Sequence, residues 1–267
     1  MDYFSYNEGK DLMPEGAFKI SPSRLSRFFD DSANWYREAL LGEEPKFTGN
    51  TSSVLGTCVH GLAAMFTQES IFDESKVEDY LNTITNPEID LNYVRRQYPI
   101  MGRKLVDQFT SRTTGQSELF FYEEVLPGIG VGGSIDLLCP TQVVDYKTTG
   151  SLSAPDKISR NYYFQQMAYV WLARKKGFSI DSFKIVYITT HQTGRKSGVT
   201  GKPLKDYPCT VTQVVHRVTD DDMILIESVI KLVAESVQAF KEKPEIRHLL
   251  AKDYRLKERT SVLFPNN

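Results

Sequence analysis

Apolar residues recur along this chain with two different periods, and the change of period divides it into blocks. Over about residues 53–69, Val54, Leu55, Cys58, Leu62, Met65 and Phe66 fall on one face of a 3.6-residue repeat and predict a helix. Two more helical patterns follow, over Glu74–Asn82 and Leu91–Gln108. The period then shortens. Residues 118–127, 130–139 and 142–148 are rich in β-branched and aromatic side chains and are separated by Pro and Gly, which predicts successive strands of an antiparallel meander. A long helix is expected over 157–176, stopped at Gly177, then strands over 182–190 and 210–218. A last amphipathic helix spans 220–243, with Asp220, Asp221 and Asp222 in its first turn and Pro244 beyond its end. Near the start, Ser21-Pro22-Ser23 suits the first turn of a helix carrying Leu25, Phe28 and Phe29, and about 16 residues before it read as a loose lead-in. This order of elements predicts an α/β protein, a mixed central β-sheet flanked by α-helices.

Length and composition narrow the class. A chain of 267 residues suits a single domain, here 1–267, with a core over about 20–177 and C-terminal strands and helix over 178–267. No run approaches the roughly 20 apolar residues of a membrane helix, and no basic-then-apolar leader opens the chain. A cytoplasmic location and no membrane partner are therefore expected. Cys58, Cys139 and Cys209 are scattered and form no CxxC pair, so they read as small buried residues rather than a disulfide framework or zinc site. The net charge of −2 argues against a protein that coats nucleic acid, but is compatible with an enzyme that handles phosphates through metal ions.

One stretch carries chemistry. Asp136 lies in Gly133-Ser134-Ile135-Asp136, and nine residues later comes Asp145-Tyr146-Lys147. On a strand, Asp145 and Lys147 share a face, and the preceding strand can bring Asp136 beside them. Two carboxylates and one ammonium are what a Mg²⁺-assisted phosphate hydrolysis needs: hard oxygen ligands, and a cation to orient water and stabilise developing charge. A lone D-x-K is more often a surface salt bridge. Two features weigh against that reading. His60, four residues after Gly56 on a helix, is ordinarily a core or boundary residue, but it is also a metal-ligand type. Gln165 and Tyr169, at i and i+4, share a helix face and can meet a phosphate oxygen, a base or Lys147.

Taken together, Gly56…His60, Gly133…Asp136, Asp145-Tyr146-Lys147 and Gln165…Tyr169 resemble, in type and order, the RecB-like branch of the PD-(D/E)XK nuclease superfamily. Ile20-Ser21-Pro22-Ser23-Arg24-Leu25 is similar to the first helix of those enzymes. The resemblance covers about residues 20–177. It implies a restriction-endonuclease-like core and one or two Mg²⁺ or Mn²⁺ ions held by His60, Asp136, Asp145 and the Tyr146 carbonyl. It also implies a catalytic Lys147, and Gln165 and Tyr169 beside DNA. None of the three cysteines fits the iron–sulfur cluster that several relatives carry. An acidic residue found on the histidine helix of some relatives is not evident, and Glu123 or Glu124 is a candidate for a supporting role.

Basic residues gather in Arg174-Lys175-Lys176 and in the Gly-rich, exposed stretch 194–205, where Arg195, Lys196, Lys202 and Lys205 could track a phosphate backbone. Tyr162 and Tyr163 could stack on bases, and Arg24 and Arg27 offer a third rim. The chain has no GxxxxGK[ST], so any motor acts in trans. The expected activity is a DNA exonuclease of recombination, repair or phage genome processing. Its partners would be DNA and a recombinase, single-strand-binding protein or helicase. A structure-specific or nicking endonuclease and a non-catalytic nucleic-acid-binding module are the alternatives.

Overall fold

Residues 3–4, 10–32, 34–36, 49–151 and 157–243 are described by the structure, a computed structural model. The elements run β1 (Phe18–Ile20), α1 (Pro22–Leu25), α2 (Arg27–Asp30), α3 (Thr51–Glu69), α4 (Glu74–Asn82), α5 (Leu91–Gln108), β2 (Gln116–Leu126) and β3 (Ile129–Leu138). They continue with β4 (Gln142–Thr149), α6 (Arg160–Lys175), β5 (Ser182–Thr189), β6 (Val211–Arg217) and α7 (Asp220–Glu242). The expected part of the chain beyond residue 243 and the turn at 152–156 lie outside the described residues.

The strands form one mixed sheet in which β3 pairs with three others, β1, β2 and β4. β2 folds back on β3 through Pro127-Gly128, where Gly128 takes a φ of +70° that a hairpin turn requires and other residues resist. Along its opposite edge β3 meets two strands in succession. β1 runs parallel to residues 129–131, and β4 runs antiparallel to Leu137 and Leu138 only. The α6 crossover lets β4 pair in parallel with β5 over eight residues, and β6 closes the far edge antiparallel to β5.

Helices cover both faces. On one, Leu25 of α1, the buried side of α6 and the Ile226, Ile230, Val233 and Val237 stripe of α7 pack on Val131, Val143 and Ile185. On the other, α3, α4 and α5 set Leu62, Val77 and Leu105 against Val144, Tyr146 and Val186. Each of these side chains contributes about 1.5–3 kcal/mol by leaving water. α3 and α7 both begin with capping boxes, Asn50 with Ser53 and Thr219 with Asp222, which satisfy their first free N–H groups.

The mixed sheet flanked by helices agrees with the sequence pattern, and so do most element boundaries. Two differences stand out. β1 is a three-residue strand, too short to produce a period. The expected loose lead-in is partly docked: Tyr3 is buried, its hydroxyl donates to Glu69 Oε1 at 2.6 Å, and Phe4 lies against Gly61. The two aromatics supply the apolar area that holds them there. All three cysteines are buried, and burial pushes the Cys58 thiol up to about 12, so it is not a reactive thiolate. No helix among the described residues is long and apolar enough to cross a membrane.

Candidate active site

The site forms where a strand ladder stops. β3 and β4 are registered only at Leu137↔Val144 and Leu138↔Val143, so the next residue along each, Asp136 and Asp145, stands where the two strands part. The Tyr146 N–H, which a continuing ladder would pair with a backbone carbonyl, instead donates to Asp136 Oδ2 at 2.8 Å. This satisfies a buried donor and holds the Asp136 carboxylate over β4. The parallel pairing with β5 keeps β4 straight through the same residues.

Asp145 and Lys147 share a face of β4, as their spacing requires. Lys147 Nζ donates to Asp145 Oδ1 at 2.9 Å and lies 2.7 Å from Oδ2, which itself has no hydrogen bond. Asp145 is only 3% exposed. Burial raises its carboxyl above the usual carboxylate range, and the neighbouring Lys147 ammonium opposes that rise without cancelling it. Burial acts on Lys147 in the opposite sense, but the charges of Asp145 and Asp136 outweigh it, so its net shift is upward and it stays an ammonium. The ring of Tyr162 sits beneath this ammonium, 5.1 Å from Nζ to centroid. From α6, Gln165 Nε2 reaches Asp145 Oδ1 at 3.5 Å.

His60 comes in from α3. Its Nδ1 lies 3.5 Å from Asp136 Oδ2, and its ring meets the Tyr146 ring edge-on at 5.8 Å. A cavity of about 660 Å³ opens over this group, and His60, Asp136, Lys147, Gln165 and Tyr169 all line it. The glycine of the Gly133…Asp136 motif has a packing reason. A Cβ there would stand 3.0 Å from Pro22 Cδ and 3.2 Å from Tyr169 Cε1, so a larger residue would press α1 and α6 away from β3 by a few tenths of an ångström.

Sequence reasoning missed Glu118. It also lines the cavity, and it falls opposite Asp136, between the registered pairs Ser117↔Leu137 and Leu119↔Ile135. Its φ is +53°, a conformation that a non-glycine residue adopts only at a cost of about 1–3 kcal/mol. Across it, Ile135 packs in one core layer and Leu137 in the other, so the side-chain alternation of β3 slips at Asp136. Burial first, and the Asp136 charge second, push its carboxyl up to about 8. Sequence held no signal for it: Glu118 follows the polar Gln116 and Ser117 on a strand that also carries Glu123 and Glu124. Glu123 and Glu124, which the sequence suggested, stand instead opposite Val131 and Gly130, and Glu123 pairs with Lys176 at 2.8 Å.

The remaining sequence candidates lie apart from the cavity. Tyr163 donates to Asp222 Oδ1, tying α6 to α7. Arg174 donates to the Ile180 carbonyl, and Lys175 pairs with Glu227 at 3.2 Å, so the 174–176 cluster is occupied within the fold. Arg195 and Lys196 stand on the exposed segment between β5 and β6.

The donors suit a hard divalent ion. Asp145 Oδ2 is buried with no hydrogen bond beyond its 2.7 Å ion pair with Lys147, and Glu118 adds a second carboxyl to the cavity beside Asp136. No three His, Cys, Asp or Glu side chains already converge on one point among those residues, but His60, Asp136 and Glu118 line one cavity. Their oxygens and imidazole are of the kind Mg²⁺ or Mn²⁺ takes.

The family model of the PD-(D/E)XK nuclease superfamily matches residues 19–257, nearly the whole chain. The chain belongs to that superfamily. This nuclease has the restriction-endonuclease-like arrangement of a mixed sheet between helices, and superfamily members generally use divalent metal ions. Among solved structures, it is similar to a Eubacterium rectale protein provisionally described as an exonuclease, with 17% identity, a TM-score of 0.53, and coverage of 84% of this chain and 81% of that one. A phage-related exonuclease from Haemophilus somnus 129PT matches at 11% identity and a TM-score of 0.37 over 86% of this chain and 98% of that one. The LHK-Exo protein in complex with dAMP matches at 14% identity and a TM-score of 0.34 over 80% and 97%. The first likeness is one of fold, and the other two add nothing to it. No curated protein matches the sequence.

Proposed function

We propose that this nuclease is a Mg²⁺- or Mn²⁺-dependent DNA exonuclease of the RecB-like branch, with Asp136, Asp145 and Lys147 as its catalytic group. The observation that carries the reading is the opened β3–β4 ladder, which sets Asp136 over Tyr146 at the edge of a cavity that Lys147 also lines, with Asp145 buried against the Lys147 ammonium. His60, Asp136, Asp145 and the Tyr146 carbonyl would hold one or two ions, with Glu118 in reserve across the cavity. A bound ion supplies Lewis acidity toward the phosphate and lowers the pKa of coordinated water.

The chain's own groups do the rest. Lys147 stays charged between Asp145 and the Tyr162 ring, so its ammonium can donate to a phosphate oxygen as negative charge builds during in-line attack. Asp145, anchored by that ammonium, keeps Oδ2 free of other donors. Gln165 and Tyr169, on the helix facing β4, can orient the sugar-phosphate beside Asp145. His60, packed edge-on against Tyr146, presents a ring of fixed direction to Asp136.

The exonuclease is the proposed activity, and an endonuclease on the same core is the alternative. Recombination, repair or phage genome processing is the corresponding setting, with a recombinase, single-strand-binding protein or helicase acting in trans. The test is degradation of end-labelled linear DNA against closed circular DNA, with Mg²⁺, with EDTA and with Lys147→Ala. Metal-dependent loss of linear DNA alone, abolished in the variant, is the expected result. Cutting of circles would replace the exonuclease with an endonuclease, and no cutting by folded protein would leave a binding module.

A further inference from the structure

The two basic clusters visible in the sequence have opposite fates in the fold. Arg174, Lys175 and Lys176 are each engaged by an oxygen of the protein itself. Arg195, Lys196, Lys202 and Lys205 are all exposed, and no ion pair engages them among the described residues. Lys205 lies over the Tyr207 ring, 5.4 Å from its centroid. The one acid nearby, Asp206, accepts a hydrogen bond from the Gly194 N–H at 2.7 Å. In a chain whose net charge is −2, this is a concentrated positive element.

The segment is also built rather than loose. It folds back on itself as an arm: Gln192 pairs with Tyr207 and Lys196 with Pro203. Leu204 N–H donates to the Arg195 carbonyl at 2.8 Å, and Ser197 N–H to the Lys202 carbonyl at 2.8 Å. Gly194 and Gly201, both at a φ of +66°, supply its bends, and Val199 near the tip is 96% exposed. Its base is pinned beside the catalytic strand. Thr190 N–H donates to the Thr149 carbonyl at 3.0 Å, and Gln192 Nε2 to the Gly150 carbonyl at 3.1 Å. On the other side, Gln97 holds both the N–H and the carbonyl of His191.

Position follows from register. Lys147 pairs with Tyr187, so Arg195 is eight residues of chain past the catalytic lysine's neighbour. At about 3.3 Å per residue it stands no more than roughly 26 Å away. Duplex DNA rises about 3.4 Å per base pair, so a helix leaving the site brings its phosphates within that reach inside one turn. Cations fixed on a pinned arm suit a backbone that is itself stiff over this distance, which duplex DNA is and a single strand is not.

We infer that the arm at residues 192–207 is a docking surface for the duplex part of a DNA substrate, its four cations contacting phosphates within about one turn of the scissile bond. This rests on DNA being the substrate, and it deepens that reading by naming the duplex as the form engaged.

The test is binding without cleavage. Fluorescence anisotropy in EDTA, over a salt series, compares wild type with a variant carrying Arg195→Ala, Lys196→Ala, Lys202→Ala and Lys205→Ala. The probes are a blunt duplex of two helical turns and a single strand of equal length. The expected result is about tenfold or greater loss of duplex affinity, with the slope of log K against log salt shallower by roughly 2–4. The single strand should lose less than about threefold, because few of its flexible phosphates meet the arm. A variant exchanging the three lysines for arginine should bind as wild type, and thermal melting shows that each variant is folded. Equal duplex binding by the alanine variant, equal losses on both probes, or no duplex binding by wild type would each overturn the arm's role. Because no cleavage is scored, failure of the nuclease reading would leave this outcome untouched.

Discussion

Strand β4 has two edges, and they differ. Against β5 it is registered from Gln142↔Ser182 to Thr149↔Thr189 without a break. Against β3 it is registered at two positions and then released. The closed edge provides rigidity, fixing Asp145 and Lys147 in one direction on a strand that cannot shift. The open edge provides unsatisfied hydrogen-bonding capacity, which Asp136 takes up at the Tyr146 N–H while its side chain lines the cavity. The charged groups of a hydrolytic site are costly to bury and require a stiff support. Here one strand supplies the support on one side and the vacant ladder positions on the other.

Breaking the chemistry on the rigid edge should have the largest effect. Lys147→Ala removes the only ammonium lining the cavity among the described residues, and with it the proposed donor to the phosphate. Steady-state cleavage assays should show kcat reduced by about 10²–10⁴ with the fold intact. A variant retaining a tenth or more of wild-type kcat would remove Lys147 from the catalytic group.

The open edge is tested next. His60→Ala deletes the imidazole 3.5 Å from Asp136 Oδ2 and leaves the Tyr146 hydrogen bond to Asp136 untouched. Calorimetric titration with Mn²⁺ should show affinity weakened by about 10–100-fold. Unchanged affinity would return His60 to the role of a boundary residue.

How much of this was legible in the sequence follows the same division. Regular elements announce themselves by period, so α3 to α7 and β2 to β6 could be read from apolar spacing, and the shared face of Asp145 and Lys147 followed from strand geometry alone. The irregularities do not repeat and so leave no period. Nothing in Phe18-Lys19-Ile20 marks a strand, although β1 occupies the edge of β3 that β4 leaves free. Nothing in Glu118 marks a positive φ, and its carboxylate could not be distinguished from Glu123 or Glu124 before the register with Asp136 was known. The two basic clusters looked alike as sequence. Their difference arises from tertiary neighbours, Glu227, Glu123 and the Ile180 carbonyl, that only the fold brings near.

Glu118 sharpens the comparison through pH. Its carboxyl is raised from 4.5 to about 8, so the folded, metal-free protein holds a proton that the unfolded chain releases. The stability this contributes is complete below 4.5 and is lost as pH rises through about 8. Glu118→Gln lacks that loss. In EDTA at pH values above this window its melting temperature should exceed wild type by roughly 3–6 °C, with the gap closing under acid conditions. Parallel melting-temperature profiles for the two proteins would show that the carboxylate is not held in the buried setting described here.

The smallest expected effect concerns Tyr162, and it separates two roles for one ring. Sequence alone suggested a surface on which a base stacks. In the fold the ring lies under the Lys147 ammonium, 5.1 Å away, and Tyr162 is not among the residues lining the cavity. A ring so placed acts through Lys147, holding the ammonium while it donates a hydrogen bond to Asp145. A cation–π contact of this kind contributes about 1 kcal/mol, so Tyr162→Leu should lower kcat about fivefold and leave KM nearly unchanged. Tyr162→Phe, which keeps the ring and loses only the hydroxyl, should restore most of that rate. If the ring stacks on substrate instead, Tyr162→Leu would raise KM and leave kcat close to wild type, because substrate and transition state would lose the same contact.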